Sequence, residues 1–176
     1  MRFQYKKVII GTALLLLYSS IFVFASVKVY FSLVNNPEKA IITELSYAKE
    51  SIDIAMYYFT DRELARAVID AYNRGVRIRV YLDNGQREAK YSKSCYLEKN
   101  GITIRYSDNP YIMHHKFCVV DNKVLITGSY NWTASARERN NENLLIIDDA
   151  KLVQEYLLEF NRLWSEHYLS KKVEIQ

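Results

Sequence analysis

From position 27 to position 106 the chain switches between two hydrophobic rhythms, and this alternation limits its fold more than any other feature. Residues 27–34 (VKVYFSLV) alternate apolar and polar side chains, the two-residue period of a half-buried strand. Asn36-Pro37-Glu38 then reads as a helix start with proline at the first helical position, and Ile41, Ile42, Leu45 and Ala48 follow at helical spacing. Residues 52–59 (IDIAMYYF) form a largely apolar strand. Thr60, with Glu63 three residues on, resembles a capping box. The helix it opens carries Leu64, Ala67, Val68 and Tyr72 and stops at Asn73-Arg74-Gly75. A strand over 76–82, a helix over 86–99 ending at Asn100-Gly101, and a strand over 102–106 continue the pattern. Strands that alternate with helices predict an α/β protein with helices packed on the faces of its sheet.

After position 106 the rhythm changes. Residues 115–120 and 123–127 read as two strands joined at Asp121-Asn122, a hairpin turn signal. Residues 132–140 are small and polar, a short helix or loop, and 143–147 (NLLII) form a last strand. Residues 150–168 form an amphipathic helix with Leu152, Tyr156, Leu157, Phe160, Leu163 and Trp164 inward. The expected architecture is a mixed β-sheet in an α/β/α sandwich over residues 26–176, preceded by an N-terminal hydrophobic helix. With 5 Gly and 2 Pro in the whole chain, no linker divides that domain.

The first 25 residues are of another kind. Arg2, Lys6 and Lys7 precede an uncharged apolar run over residues 8–25. A basic flank before such a run fits a signal peptide or a membrane anchor; a buried core helix is the third reading. Either of the first two places the domain outside the cytoplasm, secreted, periplasmic or tethered to the membrane. Without residues 1–25 the domain holds 21 Lys and Arg against 20 Asp and Glu, so polyanion binding must come from a local patch. The two cysteines, Cys95 and Cys118, match no metal-ligand spacing; two free thiols and a disulfide both remain open.

Residues 113–143 (MHHKFCVVDNKVLITGSYNWTASARERNNEN) carry the chemistry. His114 and Lys116 are two apart on an expected strand and so share a face. Ser129 and Asn131 are two apart at the end of the next strand, and hairpin pairing can bring both pairs to one sheet edge. An imidazole, an ammonium, a hydroxyl and a carboxamide together make a nucleophile or acid–base group with donors for phosphate oxygens. Gly128 fits a close backbone approach, and Asp121 reads as a structural carboxylate capping turn amides. A lone His on a strand is more often structural than catalytic; the spacing is what singles this one out.

His114, Lys116 and Asp121 match H-x-K-x4-D, Gly128-Ser129-Tyr130-Asn131 matches the G-S-x-N that follows, and Glu142 matches the later acid. The run thus resembles the signature of the phospholipase D superfamily, and within it the bacterial Nuc-type endonucleases and the mitochondrial Zucchini-like group, from about Val27 to Trp164. The resemblance implies a phosphodiesterase needing neither metal nor cofactor. It implies that His114 attacks phosphorus, that a second His protonates the leaving oxygen, that Lys116 and Asn131 hold the non-bridging oxygens, and that Ser129 adds a donor nearby. Glu142 would orient His114. The chain carries one such motif: the strand pleat turns His115 to the opposite face, and His167 reads as a surface residue. The implied enzyme is therefore a homodimer sharing one active site across its axis.

Nucleic acid is the first expected substrate, with Tyr58, Arg87, Lys90 and Trp132 as candidate binding residues. Arg62, Arg66, Lys93 and Arg137 could extend the basic groove, and Tyr57, Phe59, Tyr111 and Tyr130 the stacking surface; ordinary packing is the competing reading for the aromatics. Phospholipid is the alternative substrate, and a non-catalytic nucleic-acid-binding module the third possibility.

Overall fold

The computed structural model describes residues 25–173, and side chains as far as residue 165; the segment 1–24 and the His167 side chain lie outside the described residues. Among the described residues no helix is long and apolar enough to cross a membrane. Seven strands form a single sheet in the order β1-β7-β6-β5-β2-β3-β4. They are β1 (Ser26–Phe31), β2 (Ser51–Met56), β3 (Arg77–Leu82), β4 (Thr103–Tyr106), β5 (Lys116–Val120), β6 (Val124–Gly128) and β7 (Asn143–Asp148). The two-period and helical segments up to position 106 build parallel pairs β2–β3 and β3–β4, because each strand returns through a helix. The hairpin that follows is antiparallel, and β5 runs antiparallel to β2 as well, which makes the sheet mixed.

Four helices, α1 (Pro37–Tyr47), α2 (Arg62–Asn73), α3 (Ser94–Lys99) and α4 (Ala134–Glu138), lie on one face. Their Ile41, Leu45, Leu64, Val68, Leu97 and Ala136 join Ile54, Val80, Cys118 and Ile126 of the sheet in one core. The last helix, α5 (Ala150–Val173), covers the other face, where Val153, Leu157, Phe160 and Leu163 meet Ala55, Tyr81, Phe117 and Leu125. This is the expected sandwich.

Several local expectations are corrected. β1 stops at Phe31, not Val34, because Leu33 turns the chain with a φ of 64°. The apolar run of β2 leaves the ladder at Met56. Asp61, not Thr60, caps α2: its carboxylate accepts the Glu63 and Leu64 amides at 2.9 and 3.1 Å, as a charged acceptor does best at a helix N-terminus. The helix expected over 86–99 shrinks to α3, preceded by a 3-10 turn at Asn84–Gln86. In α5 Val153 faces inward and Leu152 outward. Cys118 is buried in the core and Cys95 is exposed, and both are free thiols.

Two carboxylates bind the sheet together. Asp53 of β2 is buried and takes a bidentate pair from Arg79 at 2.7 and 2.8 Å, while Phe160 stacks over the same guanidinium at 4.7 Å. Asp121 sits in the β5–β6 turn, where it and Asn122 both adopt left-handed backbone with φ of 53° and 54°. It does not cap its own turn. Its carboxylate accepts the amides of Lys49, Glu50 and Ser51 at 2.9, 2.7 and 3.0 Å, clamping the hairpin to the start of β2.

Partial burial alone would raise the Asp121 pKa, but those three amides and Lys123 outweigh it and hold it below the ordinary carboxylate value. A lowered native pKa means stabilisation that is present at neutral pH and fades as pH falls through the native titration, below about 4. Asp121→Ala is expected to cost about 1–3 kcal/mol in denaturant unfolding at neutral pH. The gap between native and variant chains is expected to narrow in the same experiment as the pH is taken into the acid range.

Candidate active site

The C-terminal ends of β2 and β6 and the N-terminal ends of β5 and β7 meet at one end of the sheet. Pairing of Met56 with Lys116 continues one step further, since the Tyr57 amide donates to the His115 carbonyl at 2.9 Å. The pleat therefore persists beyond β5 and separates two adjacent histidines. His115 turns to α5, where its Nε2 lies 3.1 Å from Glu159 Oε1. The His114 ring packs on Tyr57 with centroids 4.6 Å apart, and Lys116 Nζ lies 5.1 Å from the centre of the same Tyr57 ring. His114 and Lys116 thus share a side, as their spacing requires. His114 itself precedes the strand, in the irregular segment after β4; Lys116 Nζ donates to its carbonyl at 2.8 Å.

From the neighbouring strands come the remaining groups. Gly128 has a φ of 149°, and a Cβ there would lie 2.3 Å from the Asn143 carbonyl oxygen, so glycine is obligatory at this crossing. The close approach turns Ser129 toward β7: its hydroxyl donates to Glu142 and accepts the Asn143 amide at 3.0 Å. Asn131 Oδ1 accepts the Tyr58 amide at 3.3 Å, next to the tyrosine that carries the His114 ring. Glu142 departs from its expected place. Its carboxylate takes the Ser129 hydroxyl and the Asn140 amide at 2.9 Å, not the His114 ring. Within one chain, then, Glu142 positions Ser129.

The electrostatics favour a neutral imidazole. Loss of solvent, then the charge of Lys116 and the neighbouring His115, push His114 below its ordinary value, with Asp83 opposing them. Burial also lowers Lys116, and Glu142 works against that shift. Asp83, at the end of β3, is missed by sequence reading; a carboxylate directly after a buried strand is its only signal. Among the described residues no three His, Cys, Asp or Glu side chains converge as metal ligands.

The expected substrate-binding residues divide. Tyr58 is exposed beside the site. Arg87 and Lys90 lie on the exposed segment after β3, Arg87 over the Tyr106 ring at 4.3 Å. Trp132 cannot stack on a base: it is 1% exposed, its ring meets Phe59 at 4.8 Å, and its carbonyl accepts the Thr60 and Asp61 amides. Phe59 and Tyr130 are buried as well, and Arg137 is engaged by Glu38, Asp61 and Glu138. Tyr111, three residues before His114, is 83% exposed.

The chain is similar to known proteins in sequence and in fold. A family model described as "Cardiolipin synthase, PLD-like domain" matches residues 41–164. A mitochondrial cardiolipin hydrolase of Xenopus tropicalis is 43% identical over 120 residues, 68% of this chain and 57% of that protein. A phospholipase D of Rickettsia prowazekii is 39% identical over 119 residues, 68% of this chain and 58% of its own. The chain thus spans little more than half the length of these curated relatives. Among solved structures, the phospholipase D family member Nuc of Salmonella typhimurium superposes with a TM-score of 0.76 at 30% identity, covering 81% of this chain and 95% of that one.

Glu142→Gln is expected to move the Lys116 ammonium to a still lower titration midpoint, because it removes a carboxylate charge that favours the protonated amine. An NMR titration of the Lys116 side chain checks this; an unchanged or higher midpoint contradicts it.

Proposed function

The chain belongs to the phospholipase D superfamily, and on that footing we propose that it is a phosphodiesterase working through a phosphohistidine on His114, without a metal, in a site completed by a second copy. The carrying observation is the division of the two adjacent histidines: His114 stands with Lys116 at the sheet end, while His115 is turned away to Glu159. Among the described residues, then, one chain places one imidazole beside Lys116 and Tyr57, and double displacement at phosphorus uses two. In the first step a neutral His114 ring nitrogen forms a bond to phosphorus as the bond to the leaving oxygen breaks. The protonated imidazole of the partner subunit's His114 gives that oxygen its proton. In the second step the same partner imidazole takes a proton from water, whose oxygen displaces the phosphorus–nitrogen bond. Lys116 and Asn131 hold the non-bridging oxygens as charge grows on them, and Ser129 adds a donor fixed by Glu142.

Nucleic acid is the first substrate reading. It is supported by the exposure of Tyr58 and Tyr111, near His114 in the chain or the sheet, and of Arg87 and Lys90 on the segment after β3. The second is a phospholipid headgroup diester, favoured by the relatives named cardiolipin hydrolase and phospholipase D. Residues 8–25 would export the enzyme or tether it to a membrane, which fits either substrate.

The full chain is to be assayed with EDTA on single-stranded DNA, on RNA, and on phosphatidylcholine and cardiolipin vesicles, with His114→Ala as the blank. Nucleic-acid cleavage that survives EDTA and vanishes in the variant is expected; cleavage of lipid alone would replace the first reading by the second. Activity lost in EDTA would overturn the metal-free mechanism. When native and His114→Ala chains are refolded together in varying ratio, activity is expected to follow the square of the native fraction. A linear dependence would show that one chain suffices.

A further inference from the structure

We propose that Asp83 is the positioning residue of the nucleophile, holding the backbone ahead of His114 with its carboxylate and presenting its charge to the imidazole. This deepens the reading of His114 as the attacking group and rests on it. Asp83 follows Leu82 at the end of β3 and is 9% exposed. A carboxylate so placed must be satisfied by hydrogen bonds. Its Oδ1 accepts the Gly85 amide at 2.9 Å and its Oδ2 accepts the Met113 amide at 2.8 Å. The second bond crosses from β3 to the irregular segment before β5 and grips the residue directly before His114. No regular ladder fixes that segment, so this bond does the work a strand pairing would do.

The charge matters as much as the bond. Both oxygens are taken by backbone amides, which orient the carboxylate without cancelling it. The groups that face His114 come from every element around it. Tyr57 extends from β2 and Lys116 lies on β5, with His115 alongside. Arg162 of α5 and Asp108, with the edge of His115, line a cavity of about 120 Å³ beside the ring. Lys116 and His115 favour the neutral imidazole, and Asp83 favours the imidazolium. The two-step reaction uses His114 neutral as the attacking group of one copy and protonated as the acid of the other. An imidazole biased wholly to either form would serve only one of these roles. Asp83 supplies the opposing bias.

The test is Asp83→Asn in the full chain, which keeps the shape and removes the charge. The proton NMR titration of the His114 ring, assigned by its absence from His114→Ala, is expected to shift to lower pH in the variant. The alkaline limb of kcat/KM on bis(p-nitrophenyl) phosphate is expected to move the same way, with kcat reduced by roughly tenfold to a hundredfold from lost positioning. A folded variant with an unchanged His114 midpoint would overturn the proposal. If the variant does not fold, the native chain decides: the Gly85 amide, bonded to Asp83 and remote in sequence from His114, is expected to inflect at the His114 midpoint, and a flat response would refute the coupling. Absence of diester hydrolysis by the native chain would remove the enzymatic reading, while both NMR measurements would still report on Asp83.

Discussion

A one-residue slip of β5 along β2 would exchange His114 for His115. Because side chains alternate across a sheet, the register of this one pair decides which imidazole stands beside Lys116 and which faces α5. The structure pins that register at both ends. At the far end Asp121 gathers the three amides that lead into β2, and its own amide donates to the Ser51 carbonyl at 2.7 Å. At the site end the Tyr57 amide closes on the His115 carbonyl. Between them the apolar residues of β5 divide between two cores, Cys118 and Val120 to one side, Phe117 and Val119 to the other, so that any slip would put each in the wrong layer. Asp121 thus fixes the placement of His114 from the opposite end of a strand, through backbone geometry alone.

Three buried or half-buried aspartates show different answers to the same desolvation problem. Asp53 is matched by a guanidinium, a neutralising solution that suits the middle of a sheet. Asp121 and Asp83 are matched by amides, which satisfy the oxygens and leave the charge standing. Of the two amide-bound carboxylates, Asp83 stands beside His114 and opposes the lowering of its pKa.

The α/β class, the sandwich and the Asp121-Asn122 hairpin were legible because they follow from periodicity and turn chemistry, which are local. The pairing of His114 with Lys116 and the opposite placement of His115 followed from the pleat. Burial of Trp132 was not legible: its indole and backbone bridge residues 58–61, a tertiary fact that no local pattern encodes. The choice of Asp61 over Thr60 as the helix cap turns on a single residue, and it is the carboxylate that reaches the Glu63 and Leu64 amides. The contacts of Glu142 with Ser129 and Asn140 within one chain are not legible in the sequence, because they depend on how β6 and β7 cross. Asp83 and Asp53 each lie in or beside an apolar strand, where sequence shows a charge but not the amide or guanidinium that accommodates it.

The crossing at Gly128 bears on how a saturation-mutagenesis screen of this chain would be interpreted. Any side chain there drives β6 away from Asn143 and swings the hydroxyl of the next residue out of reach of its carboxylate. A substituted clone would lose the Ser129–Glu142 contact just as one lacking either of those side chains would, although Gly128 has no side chain to make a contact itself. In such a data set sterics and chemistry carry the same signature, and only the shape of the backbone tells them apart.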